Sequence, residues 1–261
     1  MLVAEIHGKY VAEAREDEDY LTSTVFGHLR YLPPAHFWKP FLRSCRSLSS
    51  GKERAGALAY LEEQTGAEID AYGRLQTIFW PTHAKGCPDL VLVFTHEGLR
   101  PIVVCIEAKL RSGKSGTDDR DQLARYLQAC DSLEGFRPEI PANSASIVVY
   151  LTEHDSRNEL LDSLKAYGDS FIARRRLYRV EWQDIQKAAE EAQASLEGVC
   201  EQIARDIAGF LRVRDLTHFR GMTPPPVDLM PFDGRLSAMA AILTIPDIPS
   251  GLTHICGGWG K

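Results

Sequence analysis

The sequence predicts an α/β fold: a mixed β-sheet flanked by helices, with a helical extension at the C-terminal end. Three observations predict it. The runs PDLVLVF, PIVVCIEAKL and SIVVYLT are short and almost wholly apolar, as strands buried on both faces are. Segments with helical spacing precede, separate and follow them. The whole chain has 261 residues, 44% hydrophobic and 25% charged, which is enough for one sizeable core.

The elements follow in order. Leu21, Val25, Leu29 and Leu32 recur at helical spacing in YLTSTVFGHLRYL, and Pro33-Pro34 ends that helix. SSGKERAGALAYLEEQTG reads as a second helix, with Ser50 and Glu53 at capping-box spacing and Gly66 as its stop. GAEIDAYGRLQTIFW alternates loosely and reads as a strand or hairpin. PDLVLVF, the turn THEGLRP and PIVVCIEAKL then form a strand, a turn and a central strand. The loop SGKSGTDDRD leads into the helix QLARYLQACDSL, and SIVVYLT is another buried strand. Asp155 is placed to cap the helix SRNELLDSLKAYG, and LYRVEW reads as a final edge strand. From Asp184 to about Leu216 the pattern is one long helix or two shorter ones. TPPPVDLMPFDG reads as a linker before an apolar tail. The expected division is therefore 1–183 as the α/β domain and 184–261 as a helical extension and tail.

Composition narrows the function. Mean hydropathy is −0.22, and no apolar run reaches the roughly 20 residues that span a bilayer. The N-terminal stretch lacks a basic region followed by a long apolar one, so no signal peptide is expected. A cytoplasmic protein without membrane partners is the expectation. The six cysteines, Cys45, Cys87, Cys105, Cys130, Cys200 and Cys256, form neither a CxxC pair nor a zinc spacing. The net charge of −6 speaks against a protein that coats itself in nucleic acid, but not against a local basic surface. Two basic clusters qualify: Lys109, Arg111, Lys114, Arg120 and Arg125, and Arg174, Arg175, Arg176 and Arg179. A solvated charged face explains each equally well.

The chemistry concentrates at two strand ends. Asp89 opens PDLVLVF, and Glu107 and Lys109 close PIVVCIEAKL. Strand side chains alternate, so Glu107 and Lys109 share a face. In a hairpin of these strands, Asp89 and Glu107 lie at the same end of the sheet. Two carboxylates beside a lysine suit a hard cation and a water nucleophile: carboxylate oxygens hold Mg²⁺, and the lysine serves the water or the developing charge. A surface ion pair of Glu107 and Lys109 is the plainer reading, and it leaves Asp89 unexplained.

Pro88-Asp89 followed by Glu107-Ala108-Lys109 resembles the PD-(D/E)XK nuclease superfamily, and the surrounding elements resemble its α-β-β-β-α-β core. Gln122 and Tyr126, in DQLARYL, resemble the QxxxY motif of the RecB-like branch, and one helical turn places them on one face. The resemblance covers roughly residues 16–183. It implies a restriction-endonuclease-like core and a Mg²⁺-dependent (or Mn²⁺-dependent) nuclease. Asp89, Glu107, Lys109, Gln122 and Tyr126 would be its site residues. Asp89, Glu107 and the Ala108 carbonyl would be metal ligands, with Glu18, or Glu16 in its place, as the acid of the first helix. It implies DNA rather than RNA as substrate, in bacterial phage defence, restriction or repair. A homodimer or a defence-system partner protein fits the apolar tail.

Two rival functions stand beside it. A non-catalytic subunit of nuclease fold would bind nucleic acid or a partner. AKLRSGKS approximates a phosphate-binding P-loop, but Gly116 and TDDRD follow where a helix should begin. Lys114, as an exposed loop lysine, and His83, in a turn, are weaker candidates, each more simply structural.

Overall fold

The computed structural model describes residues 17–48 and 56–218. Glu16, the Ser50–Glu53 pair, the 223–234 linker and the apolar tail lie outside the described residues. Helix α1 (Glu18–Leu29) is capped by Asp17, whose carboxylate accepts from the Tyr20 N–H at 3.0 Å. Leu21, Val25 and Leu29 are buried, as their spacing predicts. The helix stops earlier than expected, at Leu29, short of Leu32 and of the two prolines, which begin the next element. Pro34 opens a π-helical turn, Pro34–Trp38, that runs into α2 (Lys39–Ser44). Proline fits the first helical position because its missing N–H has no partner there. Phe37, Trp38, Phe41 and Leu42 are all buried from this stretch.

Strand β1 (Arg46–Ser47) and helix α3 (Ala57–Thr65) follow. Gly56 precedes α3, and Gly66 stops it in the left-handed conformation, φ 68°. Next come β2 (Arg74–Phe79), β3 (Leu90–Thr95), β4 (Ile102–Ala108) and α4 (Gln122–Asp131). Then come β5 (Ala145–Thr152), α5 (Arg157–Tyr167), α6 (Phe171–Arg174) and β6 (Leu177–Glu181). Asp155 does act at the start of α5, accepting from the Arg157 N–H at 3.1 Å. The 184–216 stretch resolves into two helices, α7 (Trp182–Gln193) and α8 (Gly198–Val213).

Among the described residues the sheet has six strands, in the order β1-β6-β5-β4-β3-β2. The β2–β3 and β3–β4 pairs are antiparallel, β4–β5 and β5–β6 parallel, and β1–β6 antiparallel. The expected edge position of LYRVEW is therefore corrected: β1 pairs along the outer side of β6, with Arg46 opposite Arg179. A two-residue strand carries no periodicity by which sequence reading finds it.

Two apolar layers cover the sheet. On one face α1, α2, α3, α7 and α8 pack against Leu90, Leu92, Val104, Ile106, Ile147 and Val149. On the other, α4 and α5 pack against Val91, Val103, Cys105, Val148 and Tyr150. The helices that follow residue 183 take part in the first of these layers. Trp182, Ile185, Phe210 and Leu211 of α7 and α8 are fully buried in the same core as the strands. The described residues belong to one compact unit. No helix among the described residues is long and apolar enough to cross a membrane.

Candidate active site

Antiparallel register brings the motif residues together. Leu90 pairs with Ile106, so Asp89, one residue before β3, faces Glu107 on β4. Ile106 and Ala108 point into the larger core layer, and Val103 and Cys105 into the layer under α4. Alternation puts Glu107 on the α4 side. Beyond the strand, Lys109 turns back to it, Nζ to Glu107 Oε1 at 2.7 Å. The site thus sits at the C-terminal end of parallel strands β4 and β5, where open α/β sheets offer a crevice.

Glu107 is the centre of the arrangement. It is 1% exposed. Its Oε1 accepts from Lys109 and from Gln122 Nε2, the latter at 2.7 Å. Its Oε2 is buried without a partner. Leaving a buried carboxylate oxygen unpartnered is costly, so such an atom points to a cation or a proton. Burial pushes the Glu107 carboxyl up to about 7, with Asp89 adding to the rise and Lys109 opposing it. Burial raises Asp89 too, against the lowering effects of the Ala108 N–H and Lys109. Asp89 Oδ2 accepts from that N–H at 2.8 Å, which fixes its carboxylate beside β4.

Lys109 is bracketed by acids. Its Nζ lies 2.7 Å from Glu107 and 2.9 Å from Glu18 Oε1. Burial disfavours its charge, but the two carboxylates together hold the ammonium above the ordinary lysine value. The Trp182 indole N–H donates to the Lys109 carbonyl at 3.1 Å, so α7 also anchors this residue. Glu18 reaches the site through Lys109. Its other oxygen accepts from the Leu110 N–H at 2.9 Å and the Ser112 hydroxyl at 3.2 Å. Ala108 enters through its N–H.

Helix α4 supplies the next layer. Asp121 caps it, accepting from the Ala124 N–H at 3.0 Å, and so sets Gln122 at the first turn. The Gln122 amide also donates to the Tyr126 hydroxyl at 3.0 Å, while its carbonyl accepts from the Ser115 N–H at 3.1 Å. Tyr126 in turn donates to the Cys87 carbonyl at 2.9 Å, tying α4 to the loop that carries Asp89. The pair predicted to share a face therefore does so, and it touches Glu107.

That loop passes tightly over Tyr126. Gly86 has φ 142°, and a Cβ there would lie 2.9 Å from Tyr126 Cε1. Gly86→Ala is expected to cost more than about 1 kcal/mol, because alanine neither fits nor favours that backbone. Thermal unfolding checks it, and an unchanged midpoint would refute the close approach.

Other candidates take structural roles. His83 packs on Phe136, donates through Nε2 to the Ser132 carbonyl and accepts the Lys85 N–H at Nδ1. Lys114 is ion-paired to the helix cap Asp121, and only a short 3₁₀ turn, Asp118–Arg120, lies between it and α4, which starts at Gln122. The P-loop pattern thus lacks its anion site. Arg174, Arg175, Arg176 and Arg179 pair with Asp169, Glu63, Asp131 and Asp155. That cluster is internally neutralised, and its partners are mostly too distant in sequence to be foreseen.

Sequence reading also missed Trp80. It follows β2 directly, with φ 47°, and its N–H donates to the Asp89 carbonyl at 3.0 Å. A bulky residue at such φ is strained by about 1–2 kcal/mol. In the sequence it is simply the end of an apolar run, IFW.

Among the described residues no group of three or more His, Cys, Asp or Glu side chains is arranged to hold a metal ion. The donor set at this strand end is the carboxylates of Asp89 and Glu107, with Lys109 next to them. Two hard oxygen donors fit Mg²⁺, which keeps several waters in its own shell. The chain matches no family model, no curated protein and no solved structure.

Proposed function

We propose that the chain is a divalent-metal-dependent nuclease of restriction-endonuclease-like fold, acting on DNA in preference to RNA. The observation that carries the reading is Glu107 itself: buried, beside Asp89, with Oε2 unpartnered and Oε1 shared by Lys109 and Gln122. Folding a carboxylate into that position is unfavourable unless the position has a use. Asp89 and Glu107 would hold Mg²⁺ or Mn²⁺. The bound ion supplies Lewis acidity to a phosphodiester oxygen and lowers the pKa of its water.

The chain's own residues do the rest. Lys109, kept protonated between two acids, supplies positive charge to the phosphoryl oxygens. Gln122 orients Glu107. Tyr126 holds α4 against the Asp89 loop. Glu18 positions Lys109. A role in bacterial phage defence, restriction or repair is part of the same proposal and rests on the motif resemblance.

One observation favours a second reading, a non-catalytic nucleic-acid-binding or partner-binding subunit. Lys109 pairs directly with Glu107, at 2.7 Å, and offsets its charge. One assay separates the two. Wild-type protein is incubated with single- and double-stranded DNA and RNA in Mg²⁺, Mn²⁺ or EDTA. Cleavage that needs the metal and disappears in Asp89→Ala is expected. Cutting that survives EDTA, or that Asp89→Ala retains, sinks the proposal; no cutting at all leaves the subunit reading.

A further inference from the structure

We propose that Trp80 is a stacking platform for an unpaired base of single-stranded nucleic acid led toward Asp89 and Glu107; this rests on the nuclease reading. Trp80 is 43% exposed, whereas Trp38 and Trp182 are fully buried. Exposure of so large an apolar ring is unfavourable in itself. Its backbone is held at φ 47° immediately before Pro81, a place where a bulky residue gains nothing locally. Such strain persists where the surroundings impose it, and it collects at working sites.

Its placement is firm. Phe79 pairs with Leu90, and the Trp80 N–H bond to the Asp89 carbonyl extends that ladder by one residue. Trp80 therefore stands opposite Asp89, which stands beside Glu107. The Phe79 ring, 5.5 Å away and inclined by 43°, supports the indole from one side. Among the described residues β2 is the outer strand of the sheet.

Charge separates the two flanks of the site. On the α5 side lies a cavity of about 840 Å³ lined by Asp118, Asp119, Asp121, Glu159 and Asp162. Its lysines, Lys114 and Lys165, are ion-paired to Asp121 and Asp162. A polyanionic backbone is repelled there. On the Trp80 side the β2–β3 connection carries Lys85, which is exposed and makes no ion pair among the described residues. An aromatic face on a connection that also carries an exposed cation suits a single strand, because every base has a π-face. A duplex keeps its faces stacked on each other and offers none.

The test uses the full chain with Glu107→Gln as a background that does not cut. Labelled oligothymidine and a duplex of equal length are the probes, read by fluorescence anisotropy. Trp80→Gly is expected to lose roughly tenfold or more in single-strand affinity. Its unfolding midpoint should hold or rise, because glycine is unstrained at that φ. Trp80→Phe should keep most of the affinity. Fluorescence excited in the indole band should be quenched by oligothymidine in the parent and not in Trp80→Phe. The proposal is overturned if Trp80→Gly binds the single strand like its parent, if phenylalanine rescues nothing, or if duplex and single strand weaken alike. Failure of the nuclease reading looks different: Trp80-dependent binding by a wild-type protein that cuts nothing.

Discussion

Glu107→Gln abolishes cleavage, by at least about a thousandfold, and leaves the metal-free protein more stable than the wild type above neutral pH. The first half follows from the geometry. Glutamine fills the same space and still meets Lys109 and Gln122, but it brings no charge to Asp89 and a cation. Metal-dependent cutting by Glu107→Gln at the wild-type rate would remove Glu107 from the site. The second half follows from proton linkage. The folded-state value of about 7 lies above the ordinary 4.5, so the folded protein holds this proton more tightly than the unfolded chain. That contribution to stability is fully present below about pH 4.5 and is lost as pH rises through about 7. The window is worth roughly 3 kcal/mol, or roughly 5–10 °C in the unfolding midpoint. In EDTA, the wild-type midpoint should fall relative to that of Glu107→Gln between pH 5 and pH 8. Parallel curves for the two proteins would show that Glu107 is not held in this way.

What could be read in the sequence was local. β3, β4 and β5 were legible because each is buried on both faces and written almost entirely in apolar residues. Asp89 and Glu107 were legible because an acid at the end of an apolar run stands out against it. Gln122 and Tyr126 were legible as helical neighbours. What escaped was non-local. β1 exists only because Arg46 and Ser47 meet β6 across the fold. The helices after Glu181, rich in Ala, Glu and Gln, read as an appendage. Yet Ala188, Ala189 and Ala192 are buried, small enough for α7 to sit close in the core. Trp80 escaped for another reason: an apolar run does not say which of its residues the fold leaves outside.

The site's internal balance gives the other large effect. Lys109→Met should cost about 1–2 kcal/mol more at pH 8 than at pH 5, because it removes the cation beside a buried carboxyl whose folded-state value is about 7. The Lys109 side chain is 11% exposed and that of Glu107 1%, so little water is at hand to replace the lost ammonium. Glu18 is left better off. It is 24% exposed and keeps the Leu110 N–H and the Ser112 hydroxyl. Two consequences separate this from ordinary loss of packing. The cost should shrink as pH falls toward 5, where Glu107 takes up a proton and no longer needs a cation. It should also shrink in the double variant Glu107→Gln, Lys109→Met, whose stability should exceed that of Lys109→Met alone although neither cuts nucleic acid. Denaturant unfolding of wild type, both single variants and the double variant at pH 5 and pH 8 gives the coupling directly. Additive effects at both pH values would mean that Lys109 and Glu107 do not share the charge on which the site is built. Coupling at pH 8 that fades at pH 5 would identify Lys109 as the cation that keeps Glu107 ionised and ready for a metal.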